Sequence, residues 1–238
     1  MRTAIITGAS SGIGRATAEV FLAAGWRVGL IARRADRLCE IAQAYPGKAW
    51  ALAGDVTDPQ CVQDRFETFL HETGRLDLLF NNAGIFGPSA APDAVTLEDF
   101  DTVMRVNIRG MFIAARTAFG LMRRQDPQGG RIINNGSISA HVPRENSICY
   151  TTSKHAITGM TRSLSLDGRS LGIACGQIDI GNAESELVAG LKARQPEMPT
   201  MDVADAARAV LHMAQLPLSA NVQFMTIMAT QMPYIGRG

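Results

Sequence analysis

A dominant charge is the first thing these 238 residues lack. Twenty-three Lys and Arg stand against 22 Asp and Glu, a net charge of +1. The chain therefore carries no large field for nucleic acid or an anionic membrane. No apolar run approaches membrane-spanning length. The opening Met1–Thr7 is too short, and too soon broken by glycine, for a signal peptide. Cysteine is scarce: Cys39, Cys61, Cys149 and Cys175 show no Cys-x-x-Cys pairing. They read as reduced, mostly buried thiols of a cytoplasmic protein. The four histidines are scattered, none with a metal-ligand partner at helical spacing, so no metal is expected. Internal repeats, low-complexity tracts and linkers are also missing. With 46% hydrophobic and 19% charged residues, the chain can build a sizeable core.

What is present is an alternation of short apolar strands and amphipathic helices. Strands are expected at Thr3–Thr7, Arg27–Ala32, Ala49–Ala53, Leu76–Phe80, Arg131–Asn135, Ile173–Asp179 and Gln223–Met228. Helices are expected between them. One follows the glycine turn and stops at Gly25, and one spans Ala35–Tyr45. Asp58-Pro59 opens another, which carries Val62, Phe66, Phe69 and Leu70 on one face and ends at Gly74. Thr96 to Asp99 can cap a long helix running to about Gln125, with Phe100, Val103, Met104 and Met111 on its apolar stripe. Helices over Ile148–Asp167, with Ala156, Ile157, Met160 and Leu164 toward the core, and over Val203–Gln215 complete the pattern. The predicted fold is α/β: a single Rossmann-like doubly wound parallel sheet with helices on both faces, spanning residues 1–238. Residues 180–200, with a helical middle near Leu187–Leu191, form a candidate substrate cap.

Polar and glycine residues cluster at the carboxyl ends of these strands. Gly8-Ala9-Ser10-Ser11-Gly12-Ile13-Gly14 links the first strand to the first helix. Such a turn either lets a backbone approach a pyrophosphate at a helix N-terminus or is a plain tight turn. It lacks the Gly-Lys-[Ser/Thr] of a nucleoside-triphosphate site. Asp55-Val56 follows the third strand, where an adenine edge can be met. Asn81-Asn82-Ala83-Gly84 follows the fourth, as a ligand crevice or an ordinary strand-end turn. Asn107 falls on an apolar helical stripe, where a buried amide must find partners, if only to tie two backbones.

Tyr150 and Lys154 are four residues apart, on one face of a helix. A free phenol has a pKa of about 10, and a neighbouring ammonium lowers it toward working range. Thirteen residues earlier, Ser137 offers a hydroxyl for a carbonyl oxygen. Alone, Tyr-x-x-x-Lys also fits any solvated helix face.

Together, Thr7-Gly-x-x-x-Gly-Ile-Gly14, Asn81-Asn-Ala-Gly84, Asn107, Ser137 and Tyr150-x-x-x-Lys154 resemble the short-chain dehydrogenase/reductase family in order and spacing. The resemblance implies NAD(H) or NADP(H) as cofactor, with Tyr150 as general acid/base. It implies that Lys154 lowers the phenol pKa and holds the nicotinamide ribose. Ser137 would orient the substrate oxygen, and Asn107 would support a relay water. Gly8, Ser10, Ser11, Gly12, Ile13 and Gly14 would cradle the cofactor; Asp55, Val56, Asn82, Ala83 and Gly84 would line its adenosine side. The family's usual Pro-Gly after the sixth strand is Ile180-Gly181 here, with Gly181 left for the carboxamide side and Ser185 where a Thr often stands. The carboxyl tail is similar to the bacterial NADP-dependent 3-hydroxy acid dehydrogenase branch.

A carboxylate is absent where NAD-preferring sites place one: Arg33-Arg34 ends the second strand. A guanidinium grips a 2′-phosphate but cannot accept ribose hydroxyls, so NADP is expected over NAD, unless both arginines only solvate a helix start. The substrate is then a small alcohol or carbonyl; Leu187, Val188, Leu191, His141 and Arg144 are candidates for its pocket or for ordinary loop and core positions. Two other readings use the same residues: a 3-oxoacyl-thioester reductase and a non-catalytic NADP(H)-sensing protein. The latter needs no phenol base. By the same resemblance the chain forms a homo-oligomer, dimer or tetramer, through its helices near 97–125 and 148–167 and its last strand, and the apolar tail Phe224–Ile235 agrees with a buried end.

Overall fold

Strands separated by helices reach their neighbours only by crossover, so they pair in parallel. The computed structural model describes residues 1–235, except for the side chains of Leu187, Leu191 and Arg194. Among the described residues, seven strands form one parallel sheet: β1 (Thr3–Thr7), β2 (Arg27–Ala32), β3 (Ala49–Ala53), β4 (Leu78–Asn81), β5 (Gly130–Asn135), β6 (Ile173–Ile180) and β7 (Phe224–Ile227). Their order is β3-β2-β1-β4-β5-β6-β7. The helices are α1 (Gly12–Ala23), α2 (Ala35–Ala44), α3 (Pro59–Thr73), α4 (Leu97–Met104), α5 (Met111–Arg124), α6 (Ile148–Gly168), α7 (Glu186–Arg194) and α8 (Val203–Gln215).

The sheet is apolar on both faces, so both are covered. Phe21, Leu22 and Trp26 of α1 and its end, Leu38 of α2 and Val210 and Met213 of α8 pack on one face. Phe66 and Phe69 of α3 and Ile113, Ala118 and Met122 of α5 pack on the other. Caps read from sequence form as expected. Asp58 accepts from the Gln60 and Cys61 backbone N–H groups, and Thr96 from Asp99 N. Gly74 adopts φ 81°, the left-handed turn that ends α3.

Four expectations are corrected. The helix foreseen over Leu97–Gln125 is not one α-helix: residues Arg105–Gly110 form a π-helical turn. Its buried face is also less even, with Val103 and Met111 buried but Phe100 and Met104 only partly so. On α6 the buried face is Ser153, Lys154, Ile157 and Thr161; Leu164 packs on the core as expected, but Ala156 and Met160 are only partly buried, because α6 turns its polar stripe toward the cleft described below. Cysteine burial is split, with Cys149 and Cys175 buried, Cys61 intermediate and Cys39 exposed. β4 begins at Leu78, two residues late, and Asn81 is its last residue. No helix among the described residues is long and apolar enough to cross a membrane.

β1 lies between β2 and β4, where the strand order changes direction and a crevice opens at the carboxyl ends. Thr7 closes the floor of that crevice: its hydroxyl accepts from Asn82 N and Ala83 N at 2.9 and 3.1 Å. The first glycine turn is equally tight. A Cβ on Gly14 would sit 2.2 Å from the Gly8 carbonyl oxygen, which is backbone and has nowhere to go. Gly14→Ala is therefore expected to destabilise the fold by roughly 1–3 kcal/mol. Gly159→Ala, in α6 with nothing within 4 Å of the added carbon, should be neutral or stabilising by up to about 1 kcal/mol. Urea unfolding of both variants is the measurement, and equal midpoints would contradict the close packing of the turn.

Candidate functional site

Every residue that the sequence assigned to the cofactor lines one cleft of about 620 Å³ at the β1/β4 switch. Gly8, Ser10, Ser11, Gly12, Ile13 and Gly14 form one wall. Arg33, Arg34, Asp55 and Val56 form one end; Asn82, Ala83 and Gly84 the floor; and Ser137, Tyr150, Lys154 and Gly181 the other end.

The wall has the chemistry of an anion site. Ser11 is the N-cap of α1, yet its side chain makes no capping bond; its hydroxyl instead accepts from Arg34 Nη2 at 2.6 Å. The first N–H groups of a helix have no intrahelical acceptor, and here no side chain takes their place. Gly8 (φ 68°) and Gly12 (φ 52°) sit in the left-handed region, and a Cβ on Gly8 would fall 3.0 Å from Ala83 Cα. Asn135 also lines the cleft, and its buried Oδ1 has no hydrogen-bond partner. Uncapped donors, a glycine cradle and an unpartnered acceptor fit a dinucleotide with a diphosphate centre.

The other end is built from β4, β5 and α6. Asn107 lies in the π turn, which widens the helix locally and turns its buried amide toward β4. Its Oδ1 accepts from Ile85 N at 2.8 Å, and its Nδ2 donates to Ile85 O at 2.9 Å and to Ser153 Oγ at 3.0 Å. Asn107 thus ties α6 to the loop after β4 and does not itself line the cleft. Lys154 is buried, and its Nζ donates to the Asn135 carbonyl at 2.7 Å. Nζ also lies 5.4 Å from the Tyr150 ring centroid.

Two groups that the sequence reading missed shape this end. Asp179, near the end of β6, is fully buried. Its Oδ1 accepts from Ser137 N at 2.9 Å and Gln177 Nε2 at 2.7 Å, and its Oδ2 pairs with His141 Nε2 at 2.8 Å. A charged residue inside the apolar run Ile178-Asp179-Ile180 was the available signal. His141, expected as a pocket candidate, is held by Asp179 and does not line the cleft, whereas Arg144 and Val188 do. Leu187 and Leu191 fall outside the described side chains. The second missed group is Glu186, at the start of α7. It pairs with Arg34 Nη1 at 3.0 Å across the cleft mouth, and no local sequence signal links residues 152 positions apart. Arg33 makes no ion pair among the described residues.

Burial decides the titration. It pushes the Tyr150 phenol above its ordinary value; the Ser137 hydroxyl and the Arg144 charge oppose the rise, and Asp179 adds to it. The expected lowering by Lys154 is not what this arrangement yields: burial of the phenol dominates, and the groups that oppose it are Ser137 and Arg144. Burial pushes Lys154 down to about 8, against the attraction of Asp179. A lysine whose folded pKa lies below its unfolded value of about 10.4 loses stability as pH falls through the folded pKa and regains it above. The parent should therefore gain stability relative to Lys154→Met between about pH 8 and 10, by up to a few kcal/mol. Urea unfolding of both proteins at pH 7 and pH 9.5 is the check, and a pH-independent difference would contradict the buried ammonium.

A model of the short chain dehydrogenase family matches residues 2–196. The 2-(R)-hydroxypropyl-CoM dehydrogenase of Xanthobacter autotrophicus is 36% identical over 229 residues, covering 90% of this chain and 91% of that protein. The 3-ketoacyl-(acyl-carrier-protein) reductase of Brucella melitensis, crystallised with NADH, is 25% identical with a TM-score of 0.89, covering 95% of this chain and 96% of that one. A serine dehydrogenase complexed with NADP+ shares the fold, with a TM-score of 0.91 at 22% identity and coverage of 99% and 98%. The chain belongs to the short-chain dehydrogenase family and is an oxidoreductase acting on CH–OH groups.

Proposed function

We propose that the chain is an NADP(H)-dependent oxidoreductase of a small alcohol or carbonyl, and that Tyr150 exchanges the proton of the reacting oxygen. The observation that carries this reading is the meeting of Ser137, Tyr150 and buried Lys154 at one end of a cleft whose other end carries Arg33 and Arg34. The nicotinamide cofactor supplies or accepts the hydride. Ser137 donates to the substrate oxygen and holds it beside the phenol. Lys154, anchored on the Asn135 carbonyl, keeps further N–H donors for a ribose. Asn107 fixes the α6 backbone through Ser153, whose own hydroxyl donates to Tyr150 O at 2.7 Å. Residues 180–200, with α7, act as a cap, because Ser185 touches the glycine turn: its Cβ lies 3.0 Å from where a Gly12 Cβ would be.

The carboxyl tail supports a 3-hydroxy acid as substrate. The Brucella neighbour's name supports a 3-oxoacyl thioester as the second reading. A non-catalytic sensor would need none of the phenol, hydroxyl and ammonium that meet here. We place the protein in the cytoplasm, as a dimer or tetramer. The oligomer is supported by exposed Phe112 (51%) on α5 and Leu166 (60%) on α6. Light scattering at micromolar concentration is expected to give a multiple of the 25.5 kDa chain, and a pure monomer would refute the assembly.

Tyr150→Phe should bind NADPH nearly as the parent does and lose roughly 10²–10⁴-fold in turnover. NADPH fluorescence titration and kcat on a responsive carbonyl are the two measurements; parent-like turnover would remove Tyr150 from the proton step.

Cofactor choice rests on Arg33, which is exposed at the cleft end and, unlike Arg34, has no carboxylate engaging it among the described residues. A hydrogen bond to a charged group is worth about 1.5–3 kcal/mol, so one guanidinium gives roughly 10- to 150-fold preference for a 2′-phosphate. Arg33→Asp should reverse that preference, by losing a partner and adding a repulsive one. The ratio of kcat/KM for NADPH and NADH, at one ionic strength in parent and variant, reads it out. An unchanged ratio would take the 2′-phosphate away from Arg33.

A further inference from the structure

The substrate end of the cleft holds a cation, Arg144, that neither gives nor takes the reacting proton. Arg144 sits in the loop between the short 3-10 turn Ile138–Ala140 and α6, partly buried, and lines the cleft with Ser137 and Tyr150. Its guanidinium carbon lies 5.5 Å from the Phe86 ring centroid. Phe86 in turn packs edge-on to Tyr150, with ring centroids 4.7 Å apart. The cation is therefore held one aromatic ring away from the phenol. A guanidinium stacked on a ring keeps its rim donors open, in the fork geometry that matches an oxyanion.

No acid answers that charge. Arg144 forms no ion pair among the described residues, and Glu145 beside it in the chain is not its partner. Of the other two cleft arginines, Arg34 already has Glu186, and Arg33 lies at the opposite end of the cleft. The one buried carboxylate nearby, Asp179, is taken by Ser137 N, Gln177 and His141. The substrate end thus presents Arg144 and Lys154 toward the cleft, with its negative charge turned inward.

Resting on the oxidoreductase reading above, we infer that Arg144 is an oxyanion receptor and that the substrate carries a carboxylate, sulfonate or phosphate a short chain away from its reacting CH–OH or C=O carbon. Docking the anion on Arg144 orients the carbon toward Tyr150, and a neutral analogue lacks that anchor.

The test is calorimetric titration of 3-hydroxybutyrate, of its neutral methyl ester and of 2-hydroxyethanesulfonate into the protein saturated with NADP+. Parent, Arg144→Met and Arg144→Lys are compared. The two anions should bind the parent roughly tenfold or more tightly than the ester does. Arg144→Met should erase the difference by weakening the anions alone, and Arg144→Lys should keep part of it. Equal affinity for acid and ester, undetectable binding of both anions, or anion binding unchanged in Arg144→Met would each overturn the receptor. The outcomes also separate this inference from the reading beneath it. Turnover of neutral carbonyls without an anion preference leaves the oxidoreductase standing and removes the receptor. An Arg144-dependent anion preference, with no carbonyl reduced in a broad screen, does the reverse.

Discussion

The carboxylate of Asp179 is the contact on which the reactive end of the cleft leans. A buried carboxylate costs several kcal/mol to desolvate unless hydrogen bonds replace its water. Here the replacements come from a backbone N–H, an amide side chain and an imidazole. Satisfying Asp179 fixes the chain that follows β5, because Ser137 and His141 are both tied to it. It also explains the glycine just before Ser137: a Cβ on Gly136 would lie 2.0 Å from Asp179 Oδ1. The same charge opposes the desolvation of Lys154 and adds to the rise of Tyr150. One side chain therefore fixes the position of its neighbours and adds its charge to a titration that burial dominates.

The end of the cleft at Arg33 and Arg34 is held differently. Arg34 bridges Ser10, Ser11 and Glu186, so the end of β2, the glycine turn and the start of α7 share one guanidinium. The contacts to Ser11 and Glu186 are exposed and each is weak by itself, while that to Ser10 is partly buried. Gly181 joins this assembly to the tail, since a Cβ there would meet Met228 Cβ at 2.7 Å and Met232 Sδ at 3.0 Å. The glycine that replaces a Pro-Gly turn is thus needed for packing on the segment after β7.

Much of this was legible in the chain because parallel sheets gather their carboxyl ends. Once Thr3–Thr7, Leu78–Asn81 and Gly130–Asn135 are strands, Gly8, Asn82 and Ser137 must face one crevice, whatever lies between them in sequence. Helices were equally plain where the apolar period ran unbroken, as at Val62, Phe66 and Phe69. What was not legible depends on distance or on burial. Glu186 meets Arg34 across most of the chain. The burial of Lys154 and of Tyr150 follows from how α6 seats against β6, and the phenol's own burial reverses the expected shift. The face of α6 was misjudged at Ala156 and Met160 because its apolar and polar stripes are nearly matched.

The π turn at Arg105–Gly110 left no mark in the pattern, yet it has a geometric result. An α-helix advances about 100° per residue, and a turn of this kind accommodates one extra residue. The helical segments on either side are therefore out of phase by about that angle. One continuous rod can then address two neighbours: α4 packs against α6, while α5 packs against α3 and the sheet. Asn107 sits at the phase slip itself, where its amide reaches both Ser153 of α6 and the loop after β4.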